Sequence, residues 1–355
     1  MPTSIDSEDH GEALADQIRQ AAARRTPLKI EGGGTKAFLG RRTEGEALLV
    51  APHRGVIACE ASELVITARA GTPLAEVEAR LADNGQVLAF EPPSFGAAGT
   101  LGGAVAAGLS GPRRPFAGAV RDFVLGVTIL DGAGRRLRFG GAVFKNVAGF
   151  DAFRLMAGAM GRLGVLLDIS LRVTPVPRAE ASVAFEEDWP AAQRRLLGLM
   201  ARPWPLSGAV HDGERLFVRL SGGETAVAEA RAELGGEETP LGLWRDVRHM
   251  RLGLLAAPRL WRLSVPRAAV IDGLDGAWLI DWAGAQRWLV SEASGEEIRA
   301  AAAAAGGHAS LFRGAAEGEG VYHPLERPLF DLHRRLAAAL DPAGVLNPGR
   351  MYEGL

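Results

Sequence analysis

The chain has 355 residues, of which 47% are hydrophobic and 23% charged, with a net charge of −2. That balance fits a globular protein of about two domains and supplies no basic surface for nucleic acid or anionic lipid. The single cysteine, Cys59, excludes an internal disulfide and an iron–sulfur cluster ligated by this chain alone.

The acidic N-terminus lacks an apolar core, so no secretory signal is expected and the expected location is cytoplasmic. Residues 11–25 predict a helix with Leu14, Ile18, Ala21 and Ala22 on one face. A short strand over 27–31 runs into Gly32-Gly33-Gly34, and 47–52 (ALLVAP) predicts a buried strand. The alternating stretch ELVITARAG ends at Thr72-Pro73, where threonine as N-cap and proline at the first position start a helix that Asn84-Gly85 closes. Residues 92–112 are uncharged and long enough to raise the question of a membrane span. Nine of those 21 residues are Gly or Pro and no apolar face is continuous, so the span is rejected. A strand over 123–130 turns at Asp131-Gly132 into RRLRF as a hairpin, and 151–159 predicts a short helix. In 165–173 the odd positions, from Val165 to Val173, are apolar, while Asp168, Ser170 and Arg172 face the other way.

Pro175 and Pro177 mark a boundary. Beyond it lie all seven tryptophans, strands SVAFE, ERLFVRL, LWRLSV, AWLIDWA and QRWLV, and helices over 193–200, 225–234 and 295–305. This composition predicts an α+β domain with an antiparallel sheet and no internal sequence repeat. The tryptophans read as its core. The arginine pairs Arg113-Arg114 and Arg334-Arg335 read as solvated. A helix near 329–340 leads to DPAGVLNPGRMY, a tail packed back on the rest.

Three glycine clusters stand beside strands, in a chain with 46 glycines. KIEGGGTKA matches G-x-G-x-x-A, yet no helix follows Gly34 and no acidic residue stands at the distance a ribose requires, which disfavours a nicotinamide-binding Rossmann fold. Its N–H groups make either a plain surface turn or an anion nest, with Thr35 adding a hydroxyl. In GTLGGAVAAGLSG, each glycine costs a helix about 1 kcal/mol relative to alanine, so the expectation is backbone laid close against a ligand. The third cluster, GAMGRLGVL, places Gly158, Gly161 and Gly164 three apart.

The segments IEGGGTKAFLG, ITARAGTPLAEVEARLADNGQVLAFEPP, GTLGGAVAAGLSGP, VRDFVLGVTILDGAG, FKNVAGFDAFRLMAGAMGRLGVLLDISLRV and DPAGVLNPGRM occur in an order that resembles the PCMH-type FAD-binding domain shared by vanillyl-alcohol oxidase, the D-lactate dehydrogenases and glycolate oxidase. Within that superfamily the pattern resembles the FAD-binding E-subunit family of bacterial glycolate oxidase. The resemblance implies an α+β fold. Residues 1–175 would form two α+β subdomains around an extended FAD, 176–328 a smaller α+β cap, and 329–355 a segment returning to the FAD domain. It implies that Gly32, Gly33, Gly34, Thr35 and Lys36 form the pyrophosphate loop, and that Gly99, Thr100, Gly102 and Gly103 form a second loop followed by Gly108. Gly164 and Val165 would lie near the adenosine end, and Asn347 near the flavin.

Relatives with covalent flavin carry a histidine or cysteine near these loops. Here no histidine lies between His53 and His211, and Cys59 lies outside the glycine motifs, so the expected FAD is non-covalent. The H-x-G-D-G-N-type motif of hydroxy-acid oxidising relatives is also missing. His308 and His323 stand alone, and the sequence names no catalytic residue and no metal ligand. The resemblance therefore implies the FAD-binding subunit of a complex oxidising glycolate, a 2-hydroxy acid, to glyoxylate. The alternative is a flavin-binding electron-transfer or structural subunit whose partner oxidises the substrate. The implied partners are a second FAD-linked subunit and an iron–sulfur subunit, through which any membrane association would arise.

Overall fold

The computed structural model describes residues 8–141, 151–316 and 319–355. Contacts divide the chain into two compact units. One comprises residues 1–109, 119–175 and 324–355, and the other 110–118 and 176–323. Part of the segment beginning FKNVAGF falls outside the described residues.

The first unit opens with α1 (Gly11–Arg24), which buries Leu14, Ala15, Ile18 and Ala21. Strands β1 (Leu28–Glu31) and β2 (Glu46–Leu49) pair in parallel. The expectation of a buried strand at 47–52 is corrected here: Leu48 is buried but Leu49 is 53% exposed, so β2 is half-solvated. Next come β3 (Val56–Glu60), β4 (Val65–Arg69), α2 (Leu74–Ala82) and the short β5 (Gln86–Val87). Thr72 does not cap α2. Its hydroxyl is held by the backbone of Gly55, as acceptor at 2.9 Å and donor at 3.2 Å, and the Gly99 carbonyl accepts the Leu74 N–H instead. Helix α3 spans Leu101–Ala107. The single turn α4 (Arg114–Ala117) belongs to the second unit.

The first unit resumes with α5 (Val120–Phe123), β6 (Val124–Leu130), β7 (Arg136–Gly140), a 3₁₀ turn over Ala152–Met156, β8 (Val165–Arg172) and β9 (Thr174–Pro175). Five strands form one antiparallel sheet in the order β3-β4-β8-β6-β7. The central β8 is buried on both faces except at Asp168 and Arg172, so the alternation expected of a one-sided strand is not the burial observed. Asp131 fixes the β6–β7 turn by accepting N–H bonds from Ala133 and Arg135.

The second unit carries β10 (Ala179–Glu186), α6 (Trp189–Met200), β11 (Leu206–His211), β12 (Arg215–Gly222), α7 (Glu224–Leu234), β13 (Glu237–Glu238) and α8 (Gly242–Arg248). It continues with β14 (Leu260–Ser264), β15 (Ala277–Asp281), β16 (Gln286–Val290), α9 (Gly295–Ala304) and β17 (His308–Arg313). All eight strands make one antiparallel sheet, β13-β10-β12-β11-β15-β16-β14-β17. Counted from either outer edge inward, each half runs fourth, first, third, second strand. The halves meet where His211 of β11 pairs with Ile280 of β15. The duplication is one of topology, without a repeat in sequence. Each half has its own core, one around Leu196, Val218 and Leu220, the other around Trp261, Leu289 and Ile298. Trp244, Trp261, Trp282 and Trp288 are buried. Arg113 and Arg114 are not solvated: Arg113 pairs with Glu180 at 2.7 Å and the Arg114 guanidinium stacks 4.1 Å from the Trp282 ring centre.

The helix Arg327–Leu340, which becomes α10, leads back into the first unit. Among the described residues no helix is long and apolar enough to cross a membrane.

Candidate functional site

A cleft in the first unit gathers all three glycine clusters. Its lining includes Gly32, Gly33, Gly34, Thr35 and Lys36 from the loop after β1, Thr100, Gly102 and Gly103 from α3 and its cap, Gly161 and Gly164 before β8, and Asn347 and Arg350 from the tail. Gly99, Gly108 and Val165 do not line it: Gly99 serves the start of α2, Gly108 ends α3, and Val165 is buried in the sheet.

The loop after β1 is shaped by close approach. A Cβ on Gly33 would collide with the Ala98 carbonyl, so only glycine lets the two loops touch. Thr35 Oγ1 donates to the Ser94 carbonyl at 2.9 Å, and Lys36 Nζ reaches the same oxygen at 3.4 Å. The backbone N–H groups of Gly33, Gly34, Thr35 and Lys36 take no acceptor among the described residues. Successive N–H groups in a turn, left without partners, form an anion-binding concavity. Burial lowers the Lys36 pKa from 10.5 to about 8, because the ammonium loses hydration without gaining a carboxylate. Lys29 and Glu31 pair at 2.5 Å, and Lys36 and Arg350 are the other cationic side chains of the lining.

The glycine-rich stretch 99–111 contains a helix, contrary to the sequence expectation. Thr100 is the N-cap of α3 and its hydroxyl accepts the Gly103 N–H at 3.1 Å. The other early donors are also taken: Leu101 N–H goes to Thr72 and Gly102 N–H to Ala70. The helix start therefore offers a surface to the cleft and no free donors. Its glycines face different neighbours. A Cβ on Gly102 would lie 2.7 Å from the Ala70 Cβ, whereas one on Gly103 would meet only the Thr100 hydroxyl, at 3.1 Å. The third cluster is tied to the far end of α3, where Val105 and Ala106 carbonyls accept the Gly158 and Met160 N–H groups.

Asn347 is buried, and its amide is spent on the protein itself. Its Oδ1 accepts the Ile30 N–H at 2.8 Å and its Nδ2 donates to the Met160 carbonyl at 2.7 Å. It joins β1 to the third cluster and lines the cleft. Lys29, Ala70, Ala106, Met160, Leu166 and Arg350 also line the cleft, and the sequence did not single them out. Of these, only Arg350 carried a signal, its place in the NPGR tail.

Comparison with known proteins gives this geometry a context. Residues 8–140 match the family model of an FAD binding domain. The chain is 49% identical to the glycolate oxidase subunit GlcE of Escherichia coli (strain K12) over 348 residues, 98% of this chain and 99% of that protein. It is 27% identical to the glycolate oxidase subunit GlcD of Bacillus subtilis (strain 168), over 57% of this chain and 43% of that one. A solved alkyldihydroxyacetonephosphate synthase superposes on 96% of this chain and 75% of its own, with a TM-score of 0.68 at 15% identity, and so shares the fold. The FAD binding domain match takes in the first two glycine clusters of the cleft, and the chain belongs to the GlcE family of glycolate oxidase subunits.

Proposed function

We propose that this chain binds one FAD without a covalent bond and acts as the FAD-binding subunit of a complex that oxidises glycolate to glyoxylate. The reading is carried by the four unpartnered N–H groups of residues 33–36, set in a cleft with Lys36 and Arg350, which suits a diphosphate. Gly32, Gly33, Gly34, Thr35 and Lys36 hold that anion. Thr100, Gly102 and Gly103 give a flat wall along the ribityl chain, with Gly99 and Gly108 setting the ends of that wall. Gly164, followed by Val165, serves the adenosine end, and Asn347 fixes the floor. FAD, when bound, supplies the two-electron acceptor for the substrate's C2 hydride. Among the described residues the lining contains no histidine, cysteine or tyrosine, so it presents no side chain for covalent attachment. Acid precipitation of the purified chain is expected to leave the yellow colour in the supernatant; flavin held in the pellet would overturn the non-covalent assignment.

A second reading is favoured by one observation. A base that takes the hydroxyl proton must lie within hydrogen-bond reach of it. Among the described residues the only carboxylate of the lining, Glu31, is paired with Lys29, and no imidazole is present there. This supports a flavin that relays electrons while a partner subunit oxidises the substrate. In either case the chain works in a multi-subunit complex, with a second FAD-linked subunit and an iron–sulfur subunit. The complex is cytoplasmic, with membrane association only through those partners. Residues 1–175 and 329–355 bind the cofactor and 176–328 serve as cap or interaction domain.

A further inference from the structure

We propose that Arg350 is a positioning residue for the cofactor diphosphate, holding the glycine loop from its C-terminal side in the shape that leaves residues 33–36 free to receive the anion. The proposal rests on the reading of the cleft as the FAD site.

The segment between β1 and β2, residues 32–45, has little structure of its own. Its internal backbone bonds are two tight turns, Ala37 N–H to Gly34 and Leu39 N–H to Lys36. Such a segment loses entropy when it is fixed, and a binding loop that is fixed only by its ligand binds more weakly. Thr35 and Lys36 tie the first half of this segment to the Ser94 carbonyl, and Arg350 adds the ties beyond them. Its guanidinium donates to the Arg41 carbonyl at 2.9 Å and to the Ala37 carbonyl at 3.3 Å, and reaches the Lys36 carbonyl at 3.5 Å. Its own carbonyl accepts the Arg41 N–H at 2.9 Å. One planar fork thus holds residues 36, 37 and 41, which a lysine ammonium cannot reproduce.

The anchor of that fork is itself fixed. The Arg350 N–H donates to the Asn347 carbonyl at 3.2 Å, and Asn347 is tied to Leu28 and Ile30 of β1 and to Met160. The tail therefore clamps the loop from strand to turn.

The test uses the full chain stripped of flavin. Dissociation constants are measured for FAD and, by competition, for ADP, which carries the diphosphate but no flavin ring, together with the visible spectrum of bound FAD. Arg350→Met is expected to weaken FAD and ADP by the same factor, about tenfold, with the spectrum at saturation unchanged. Arg350→Lys is expected to fall between the two. Wild-type affinity for both ligands in Arg350→Met overturns the proposal. So does a loss for FAD without a loss for ADP, which would place Arg350 against the flavin. Should Arg350→Met fail to fold, Arg350→Lys decides: a shared loss supports the proposal and wild-type affinities overturn it. Gly103→Val separates the underlying reading. If that variant folds and binds FAD as the wild type does, the cleft is not the FAD site and the proposal falls with it.

Discussion

Gly102 and Gly103 are neighbours in sequence, but a side chain at one enters the core and at the other enters the cleft. Gly102→Val would press on the Ala70 backbone and Cβ, an overpacking that costs about 1–3 kcal/mol. Gly103→Val would keep the core and place a branched side chain in the cleft. The expected outcome is a melting temperature near that of the flavin-free wild type for Gly103→Val, with flavin absorbance lost, and a lowered melting temperature for Gly102→Val. A Gly103→Val chain that purifies yellow would remove the cleft from consideration. Lys36 gives a second residue-scale expectation. With its pKa lowered to about 8, it carries its charge below that pH. A diphosphate selects the charged form, so FAD affinity should fall as pH rises above about 8, and Lys36→Met should flatten that dependence. Stability of the flavin-free chain has the opposite slope. The unfolded lysine keeps its proton to about 10.5, the folded one does not, and stability therefore rises between those values. Titration calorimetry at pH ~7 and ~9 checks the first, and urea melts at the same values check the second. Equal FAD affinity at both would mean that Lys36 does not face the diphosphate.

At the level of elements, the glycine-rich stretch shows where the sequence was legible and where it was not. Its small residues, its one early hydroxyl and its place beside a strand were readable, and it was expected to lie as backbone against a ligand; Thr100, Gly102 and Gly103 line the cleft. That it is helical was not readable, because propensity counts each glycine as a loss of about 1 kcal/mol and cannot count the acceptors at Thr72, Ala70 and Thr100 that hold the first turn. Thr72 misleads for a related reason: a threonine before proline looks like a cap until Gly55, 17 residues away, is seen to hold its hydroxyl. Strand β11 was not legible, since Gly208 breaks the apolar alternation that marks a strand, and neither β17, whose apolar residues Leu311 and Phe312 are adjacent, nor the seven-residue α8 shows a sustained period. The tail was legible as a returning segment, but the partners that hold it are distant. Asp341, 2% exposed, accepts the Val345 and Leu346 N–H groups and the Arg162 guanidinium, the last at 2.9 Å. Asp341→Ala would leave Arg162 buried without its carboxylate, at about 3–5 kcal/mol. Urea unfolding is expected to show that loss, with faster proteolysis beyond residue 340. The double change Arg162→Met and Asp341→Leu should recover part of it, because it removes both charges. A loss below about 1 kcal/mol for Asp341→Ala would mean that the backbone bridge to Leu28 and the Asn347 and Arg350 bonds hold the tail without Asp341.

For the whole molecule the question is what one chain can do without others. Oxidation of a 2-hydroxy acid releases two electrons, and a chain with the single cysteine Cys59 cannot ligate a cluster to pass them on one at a time. Among the described residues the cleft lining adds no unpaired carboxylate and no imidazole to start the reaction. The second unit spends most of its aromatic surface on itself, with Trp261 fully buried and three more tryptophans nearly so. It leaves the backs of its helices facing outward. On α9, Ile298 and Ala302 face the core while Ala303 and Ala304 are exposed, a smooth surface suited to close packing against another subunit. The isolated chain is therefore expected to retain flavin yet show no glycolate-dependent dye reduction, and to gain that activity when the partner subunits are added and co-elute with it in size-exclusion chromatography. Ala304→Glu should weaken co-elution without changing the melting temperature, which places the contact on α9. An isolated chain that reduces dye at the rate of the full assembly would show that this flavin receives its electrons from glycolate directly and that the partners serve only the later electron transfers.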